Sequence, residues 1–347
     1  MSTKVFFTCT FQEPQAWGMA GADWPERMAA EYRATGDTQF SLVDDPMQAE
    51  MIVFWEPFQA SQETWAPRLR EHPLVRQFPE KVFAVSPEDR PLGFLRGLYC
   101  SLPRRLFDTR RHRTWIYQGT LNPFIDDGAR RSESVVPKHL ASFIGAPSHA
   151  VRKELITQKD SLAARGILIG STKLSQFNAD PSHPSHREQQ LRYIDAILDA
   201  KFSLCPRGTG AGSFRMQESM ALGRAPVIIS DDWVPIAGPN WDACAIFVSE
   251  KNIMSLPKLL RDREEDWLTM GRAARKAWED FFQPSQYALQ ALRQMQALRS
   301  QDSGRTAAQE IAVQQKWGKR IRAEKRRQNP FVPRAIRKIK RLAGLSR

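Results

Sequence analysis

A chain of 347 residues with 41% hydrophobic side chains, ten Trp and nineteen Phe has the apolar material for two cores of ordinary size, which excludes a disordered or fibrous protein. The net charge of +13 suggests a polyanion binder until it is located. Residues Lys319 to Arg347 hold twelve Lys and Arg against one acid, Glu324, so this tail carries +11 and the preceding 318 residues only +2.

The elements follow from periodicity. Val5–Phe11 reads as a strand, Asp23–Ala34 as a helix, Phe40–Val43 as a strand, Ala49–Trp55 as a buried strand, Ser61–Arg70 as a helix and Lys81–Val85 as another buried strand. That alternation predicts a parallel sheet. The segment Pro87–Asp127 is rich in Pro, Arg and aromatic residues, and reads either as the lining of an acceptor site or as irregular packed chain with solvated arginines. A polar run, Asp126–Ser134, precedes a fresh strand at Leu140–Ile144, which puts a domain boundary near residue 132. A helix at Ser148–Ala164, a short strand at Gly166–Gly170, a loop at Asn178–His186 and a helix at Arg187–Ala200 follow. His183 and His186 have no carboxylate or thiol beside them and read as loop residues. Downstream, Trp241–Val248 reads as the last strand, with helices near Ile253–Arg261, Glu264–Phe282 and Ser285–Arg299.

The most informative stretch is Lys201 to Asp232. Phe202–Cys205 is a short apolar strand, and Pro206–Gly212 is a loop with three glycines that lets a ligand approach the backbone. Ser213 suits an N-cap for a helix running to about Leu222, ended by Gly223 and followed by the buried strand Ala225–Ile229. Such strand, loop, helix, strand units bind ligands at the carboxyl ends of their strands. Arg207 lies in the loop, and Arg215 in the first helical turn, where the positive end of the macrodipole disfavours a cation. An anion offsets that cost, and two guanidinium forks beside helix-start N–H groups describe a diphosphate site. Glu218, one turn on, is placed to accept hydrogen bonds from ribose hydroxyls; the plainer alternative is a surface ion pair with Arg215.

Cys205-Pro206-Arg207-Gly208, Ser213-Phe214-Arg215, Glu218, Gly223, Pro226-Val227-Ile228 and Asp231 together resemble the donor-binding segment of exostosin-type glycosyltransferases. The resemblance implies an α/β fold of the GT-B type, with two Rossmann-like domains facing across a cleft, a nucleotide-diphosphate sugar donor such as a UDP-sugar, and transfer with inversion. It also implies that a Phe-x-Gly strand end opens the second domain, here Phe143 and Gly145, with Arg152 facing the donor, and that a last helix, Tyr287–Leu298, crosses back onto the first domain. The expected donor-binding set is Arg152, Arg207, Gly208, Ser213, Arg215 and Glu218. The expected domains are 1–132 on the acceptor side, 133–283 for the donor, 284–300 as the crossing helix and 301–347 as a basic helical tail.

Glycosyl transfer needs a clamp on the leaving diphosphate, a base for the acceptor hydroxyl and, in some folds, a bridging metal. No two aspartates stand two apart; Asp44-Asp45, Asp126-Asp127 and Asp231-Asp232 are adjacent pairs, so a metal-free, arginine-based mechanism is expected. The base should follow a strand of the first domain. Glu56 is the first choice, with Glu13, Glu88 and Asp89 behind it. The four cysteines, Cys9, Cys100, Cys205 and Cys244, lack any C-x-x-C or zinc spacing, so buried reduced thiols are expected. The polar N-terminus and the lack of any run of eighteen apolar residues suggest a cytoplasmic protein, unlike the anchored animal and plant relatives. In Phe331–Leu345, apolar Val332, Ile336, Ile339 and Leu342 recur at helical spacing against Arg334, Arg337, Lys338 and Arg341, the pattern of a helix lying on an anionic membrane surface. The expected partners are therefore a UDP-sugar, a glycan or glycolipid acceptor and that surface, and no nucleic acid. The rival classes are a non-catalytic polyanion or nucleic-acid binder, and another sugar-nucleotide enzyme such as an epimerase.

Overall fold

The structure is a computed structural model that describes residues 2–10, 23–56, 68–89, 93–117, 122–172, 184–302 and 304–328. Glu13, most of the helix expected at 61–70, His183 and the segment 331–345 lie outside the described residues.

The first half is a parallel sheet. Its strands are β1 (Thr3–Thr8), β2 (Phe40–Leu42), β3 (Met51–Trp55), β4 (Val82–Ser86), β5 (Arg96–Tyr99) and β6 (His112–Thr114), in the order β2-β1-β3-β4-β5-β6. Every residue of β3 and β4 is buried, as expected for unbroken apolar runs in a sheet covered on both faces. Helix α1 (Asp23–Ala34) lays Trp24, Met28 and Tyr32 on one face; α2 (Pro73–Gln77) starts under the His72 side chain, which accepts the Leu74 N–H. Strands β5 and β6 lie within the Arg-rich, Pro-rich segment that the sequence left unordered. Gly97 explains part of the difficulty: its φ is 152°, and a Cβ there would run into the Ala84 backbone, so an apparent strand breaker is required inside a strand.

The second half is also a parallel sheet. Helix α3 (Ile125–Arg131) leads into β7 (His139–Gly145), α4 (Ala150–Thr157), α5 (Lys159–Ala163), β8 (Ile167–Ser171), α6 (Pro184–Leu198), β9 (Ala200–Pro206), α7 (Phe214–Ala221), β10 (Ala225–Ile229), α8 (Trp241–Cys244) and β11 (Ile246–Val248). The strand order is β11-β10-β9-β7-β8. Helix α3 packs on this half: a Cβ on Gly128 would stand 2.6 Å from both Ile194 and Leu222. Three expectations are corrected. The helix expected at Ser148–Ala164 is two, broken at Gln158 (φ −89°, ψ 11°). His186 lies in α6 rather than in a loop. Trp241–Val248 is not one strand, because Trp241 opens a helical turn that buries its indole, whose N–H donates to the Ile236 carbonyl at 2.7 Å.

Helices α9 (Leu256–Arg261) and α10 (Trp267–Phe281) close the second half, and α11 (Pro284–Gln301) crosses to the first. There it packs against α1 and β5, buries Tyr287 beside Trp55 and Trp115, and ties its exposed side through Arg293 to Asp37 and Arg299 to Glu50. The chain does not become a free tail at residue 301. Helix α12 (Ala307–Gln328) docks on the first half through a stripe of Glu310, Val313 and Trp317, with the Trp317 ring edge-on to His112 at 5.0 Å. All four cysteines are buried and outside any disulfide. Among the described residues, no helix is long and apolar enough to cross a membrane.

Candidate functional site

Both sheets are parallel, so every strand of a sheet ends on the same edge. In the second sheet β7 leads outward to β8 on one side while β9 leads to β10 on the other, which opens a crevice between the carboxyl ends of β7 and β9. The chain then fills that crevice with cations. Arg152 comes from α4, which follows β7; Arg207 and Arg215 come from the loop and helix after β9.

Each guanidinium has a distinct environment. Arg152 turns back to the glycine loop, donating through Nε to the Arg207 carbonyl at 3.0 Å and through Nη2 to the Pro206 carbonyl at 3.1 Å. Gly208 permits this approach, since a Cβ there would stand 3.2 Å from Arg152 Nη2. Arg215 donates to the Ile144 carbonyl at the end of β7 and lies between two aromatic faces, 4.8 Å from the Phe143 ring centre and 4.5 Å from that of Tyr193. Its Nε is buried without a hydrogen-bond partner. Among the described residues, no carboxylate comes within ion-pair distance of Arg152 or Arg215. Burial, and then the charge of Arg215, pull the Arg152 pKa down to about 10, so Arg152 remains a cation at neutral pH. A buried guanidinium beside a half-buried one of the same charge, with no carboxylate at ion-pair distance, is costly, and an anion in the crevice removes that cost.

Arg207 differs. Its Nη1 meets Asp232 Oδ2 at 2.9 Å and Glu250 Oε1 at 3.5 Å, and Asp232 also takes Arg105 from the first half at 2.9 Å. The two arginines hold the Asp232 carboxyl below its ordinary range even though burial pushes it up. Asp231 accepts from the Ser249 hydroxyl and the Glu250 N–H. The Asp231-Asp232 pair is thus engaged with donors, and no group of three or more His, Cys, Asp or Glu at metal distances occurs among the described residues.

Glu218 is not the surface partner of Arg215. It is buried, and it accepts the Asn122 N–H at 3.0 Å and the Tyr193 hydroxyl. Burial raises its pKa against those two bonds and the Arg215 charge. Ser213 holds the expected cap position with extended backbone (φ −143°, ψ 129°), yet its side chain makes no cap bond.

The first half meets this loop closely. A Cβ on Gly210 would collide with Ser101 and stand 2.7 Å from Asp89 Oδ1; one on Gly212 would stand 2.7 Å from the Cys100 carbonyl. Gln217 Nε2 donates to the Tyr117 carbonyl at 2.7 Å, and the Tyr117 and Phe214 rings lie 4.2 Å apart. Arg104 fastens the two halves by donating from its backbone to Asp232 O at 2.8 Å and from its side chain to Trp233 O at 2.7 Å. What remains between Cys100, Tyr117, Gly212, Ser213, Gln217 and Trp233 is a cavity of about 10 Å³, space for about one water. The arginines of the Leu102–Arg113 stretch are therefore largely structural, with Arg104 and Arg105 on the facing half and Arg111 buried under α12.

Glu56 follows β3 as expected, but its Oε1 accepts both the N–H of Thr10 at 3.0 Å and its hydroxyl at 2.6 Å. It is 2% exposed. Asp89, ranked behind it from sequence, is the carboxylate that stands against the glycine loop. Tyr193 and Asn122 went unnoticed in sequence because neither has a spacing that marks it, and Asp232 was visible only as half of an adjacent aspartate pair; the aromatic flanking an arginine across two helices is visible only once the sheet order is known.

The Exostosin GT47 domain matches residues 129–262, a span that holds Arg152, Arg207, Gly208, Ser213, Arg215 and Glu218. An Exostosin-1 homolog of Caenorhabditis elegans is 40% identical over 70 residues, 20% of this chain and 18% of that protein. Exostosin-1 of Bos taurus is 30% identical over 97 residues, 27% of this chain and 13% of that protein. The chain thus matches less than a fifth of the length of these relatives. Among solved structures, a glycosyltransferase from Rickettsia africae ESF-5 superposes with a TM-score of 0.37 at 9% identity, over 88% of this chain and 99% of that one.

Proposed function

We propose, for a chain that belongs to the exostosin-type glycosyltransferase family through residues 129–262, that it transfers a sugar from a nucleotide-diphosphate donor, a UDP-sugar, to a glycan acceptor with inversion at the anomeric carbon. The observation that carries this reading is the pair of guanidinia that meet between the carboxyl ends of β7 and β9, half-buried Arg152 from α4 and buried Arg215 from the start of α7, neither within ion-pair distance of a carboxylate among the described residues. In the transfer, an acceptor oxygen attacks the anomeric carbon from the face opposite the diphosphate. The bond from that carbon to the leaving oxygen breaks, and its electron pair departs with the nucleoside diphosphate. Arg152, Arg215 and the N–H groups of the glycine loop hold the charge that develops there. Arg207 joins them by exchanging one of its carboxylates for phosphate.

No metal step is invoked, because the fixed cations already supply the charge. UDP is expected to raise the melting temperature of the wild-type protein with EDTA present, by the equivalent of about 2.7 kcal/mol at a hundredfold excess over Kd. Absence of any shift, or a shift that needs added Mn²⁺, contradicts the reading. ADP is the control for non-specific phosphate binding.

The segment Phe331–Leu345 is proposed to bind an anionic membrane surface, since each juxtamembrane Lys or Arg contributes about 1 kcal/mol there. An acceptor linked to lipid suits an enzyme held in that way. A chain ending at Gln328 keeps the docked stripe of α12 intact and is expected to stop co-sedimenting with phosphatidylserine vesicles. Unchanged sedimentation refutes the anchor.

A further inference from the structure

On the reading of the site as a transferase, we propose that Asp89 is the general base that takes the proton of the acceptor hydroxyl, with Tyr117 and Ser101 as the positioning residues that aim it. Asp89 follows β4 at the carboxyl edge of the first sheet, the edge turned toward the glycine loop, and its Oδ1 lies 2.7 Å from where a Cβ of Gly210 would stand. It also lies close enough to Arg152 for its charge to bear on that guanidinium across the two halves. A base for this chemistry has to meet both partners, the acceptor on its own side and the donor's anomeric carbon on the other.

The bonds that join the glycine loop to Asp89 run in one direction once the Tyr117 hydroxyl proton is pointed at Asp89. The Gly212 N–H donates to Ser101 Oγ at 3.4 Å, the Ser101 hydroxyl donates to the Tyr117 oxygen, and the Tyr117 hydroxyl donates to Asp89 Oδ1 at 2.8 Å. Tyr117 stays protonated, because burial and then the Asp89 charge push its pKa far up. The relay starts on the donor loop and ends on the carboxylate, so the position of the base depends on the position of the loop. Glycine at 212 is required for this arrangement, since a side chain would strike the Cys100 carbonyl. In the transfer step, the acceptor O–H proton passes to Asp89 as the new carbon–oxygen bond forms, and the nucleoside diphosphate leaves with the pair from the bond that breaks.

Asp89→Asn keeps an oxygen for the Tyr117 hydroxyl and so keeps the packing. UDP release from UDP-glucose, UDP-N-acetylglucosamine and UDP-glucuronic acid, with water as acceptor, measures turnover without knowledge of the natural acceptor. The expected result is a loss of about 100-fold or more in kcat, with the UDP binding midpoint unchanged, and partial recovery of Asp89→Ala by added formate. Tyr117→Phe should lower kcat by a smaller factor, without rescue by formate. The proposal is overturned if Asp89→Asn turns over like wild type, or if Glu56→Gln loses turnover at unchanged melting temperature while Asp89→Asn does not. If wild-type protein neither binds UDP nor releases it from any of the three sugars, the transferase reading itself fails and this assignment falls with it.

Discussion

Arg215→Met is expected to weaken UDP binding at least tenfold while leaving the melting temperature unchanged or higher. The two halves of that result have one cause. Removing a charge-assisted phosphate contact costs about 1.5 to 3 kcal/mol, which is roughly one to two decades of affinity. In the free protein the same guanidinium is a liability. It is 7% exposed, has no carboxylate partner, faces a second cation in Arg152 and leaves Nε without a bond. Methionine fills the slot between Phe143 and Tyr193 with sulfur against aromatic rings and removes the buried charge. Arg215→Met therefore separates a binding cation from a structural one. A structural arginine would show a large fall in melting temperature with UDP affinity intact, and that outcome, read by thermal unfolding and calorimetric titration, would remove Arg215 from the donor site. Arg207→Met is expected to behave differently, because it takes one of two arginines from Asp232 and the guanidinium from Glu250 as well as losing a phosphate contact.

How much of this was legible depends on the range of the interactions involved. The unit from β9 to β10 reads cleanly because its signals are local: an apolar strand, glycines, a cap position and Gly223, whose φ of 64° ends α7. The same locality reveals Arg207, Gly208, Ser213 and Arg215. Buried strands β3 and β4 are equally plain as continuous apolar runs. Failures begin where the deciding contact is distant in sequence. Trp241 looks like the start of a strand until Trp233 and Phe282 are known to surround it. Glu56 and Asp89 are both acids shortly after buried strands, and nothing local ranks them. Thr10, 46 residues before Glu56, occupies one; Gly210, more than a hundred residues after Asp89, stands beside the other. Charge counting misleads in the same way. The basic composition beyond Lys319 is real, but the stripe of Glu310, Val313 and Trp317 just before it belongs to the core of the first half.

Glu310 carries the second large effect, although it lies well outside the site. It is 1% exposed and receives Arg111 in a two-pronged bond, Nη2 to Oε1 at 2.7 Å and Nη1 to Oε2 at 2.9 Å, while Arg111 Nη2 also donates to the Phe94 carbonyl. A pair this deeply buried is not a large net source of stability, because both ions were taken out of water to form it. Removing one partner is another matter. Glu310→Ala leaves Arg111 charged, buried and close to Arg96, itself a buried guanidinium whose pKa is pulled down mainly by burial. The expected loss is about 3 to 5 kcal/mol of unfolding free energy, read as a lower denaturant midpoint at unchanged slope. Ending the chain after Ser300 removes Glu310 and Trp317 together and should destabilise at least as much, so such a chain tests the core rather than any membrane contact. The double replacement Arg111→Met with Glu310→Leu supplies the decisive comparison. With both ions gone and their volume retained, most of the lost stability should return. If Glu310→Ala unfolds within about 1 kcal/mol of wild type, as expected for exposed ion pairs, then α12 does not seal the first half in solution and the Arg111 pocket is open to water.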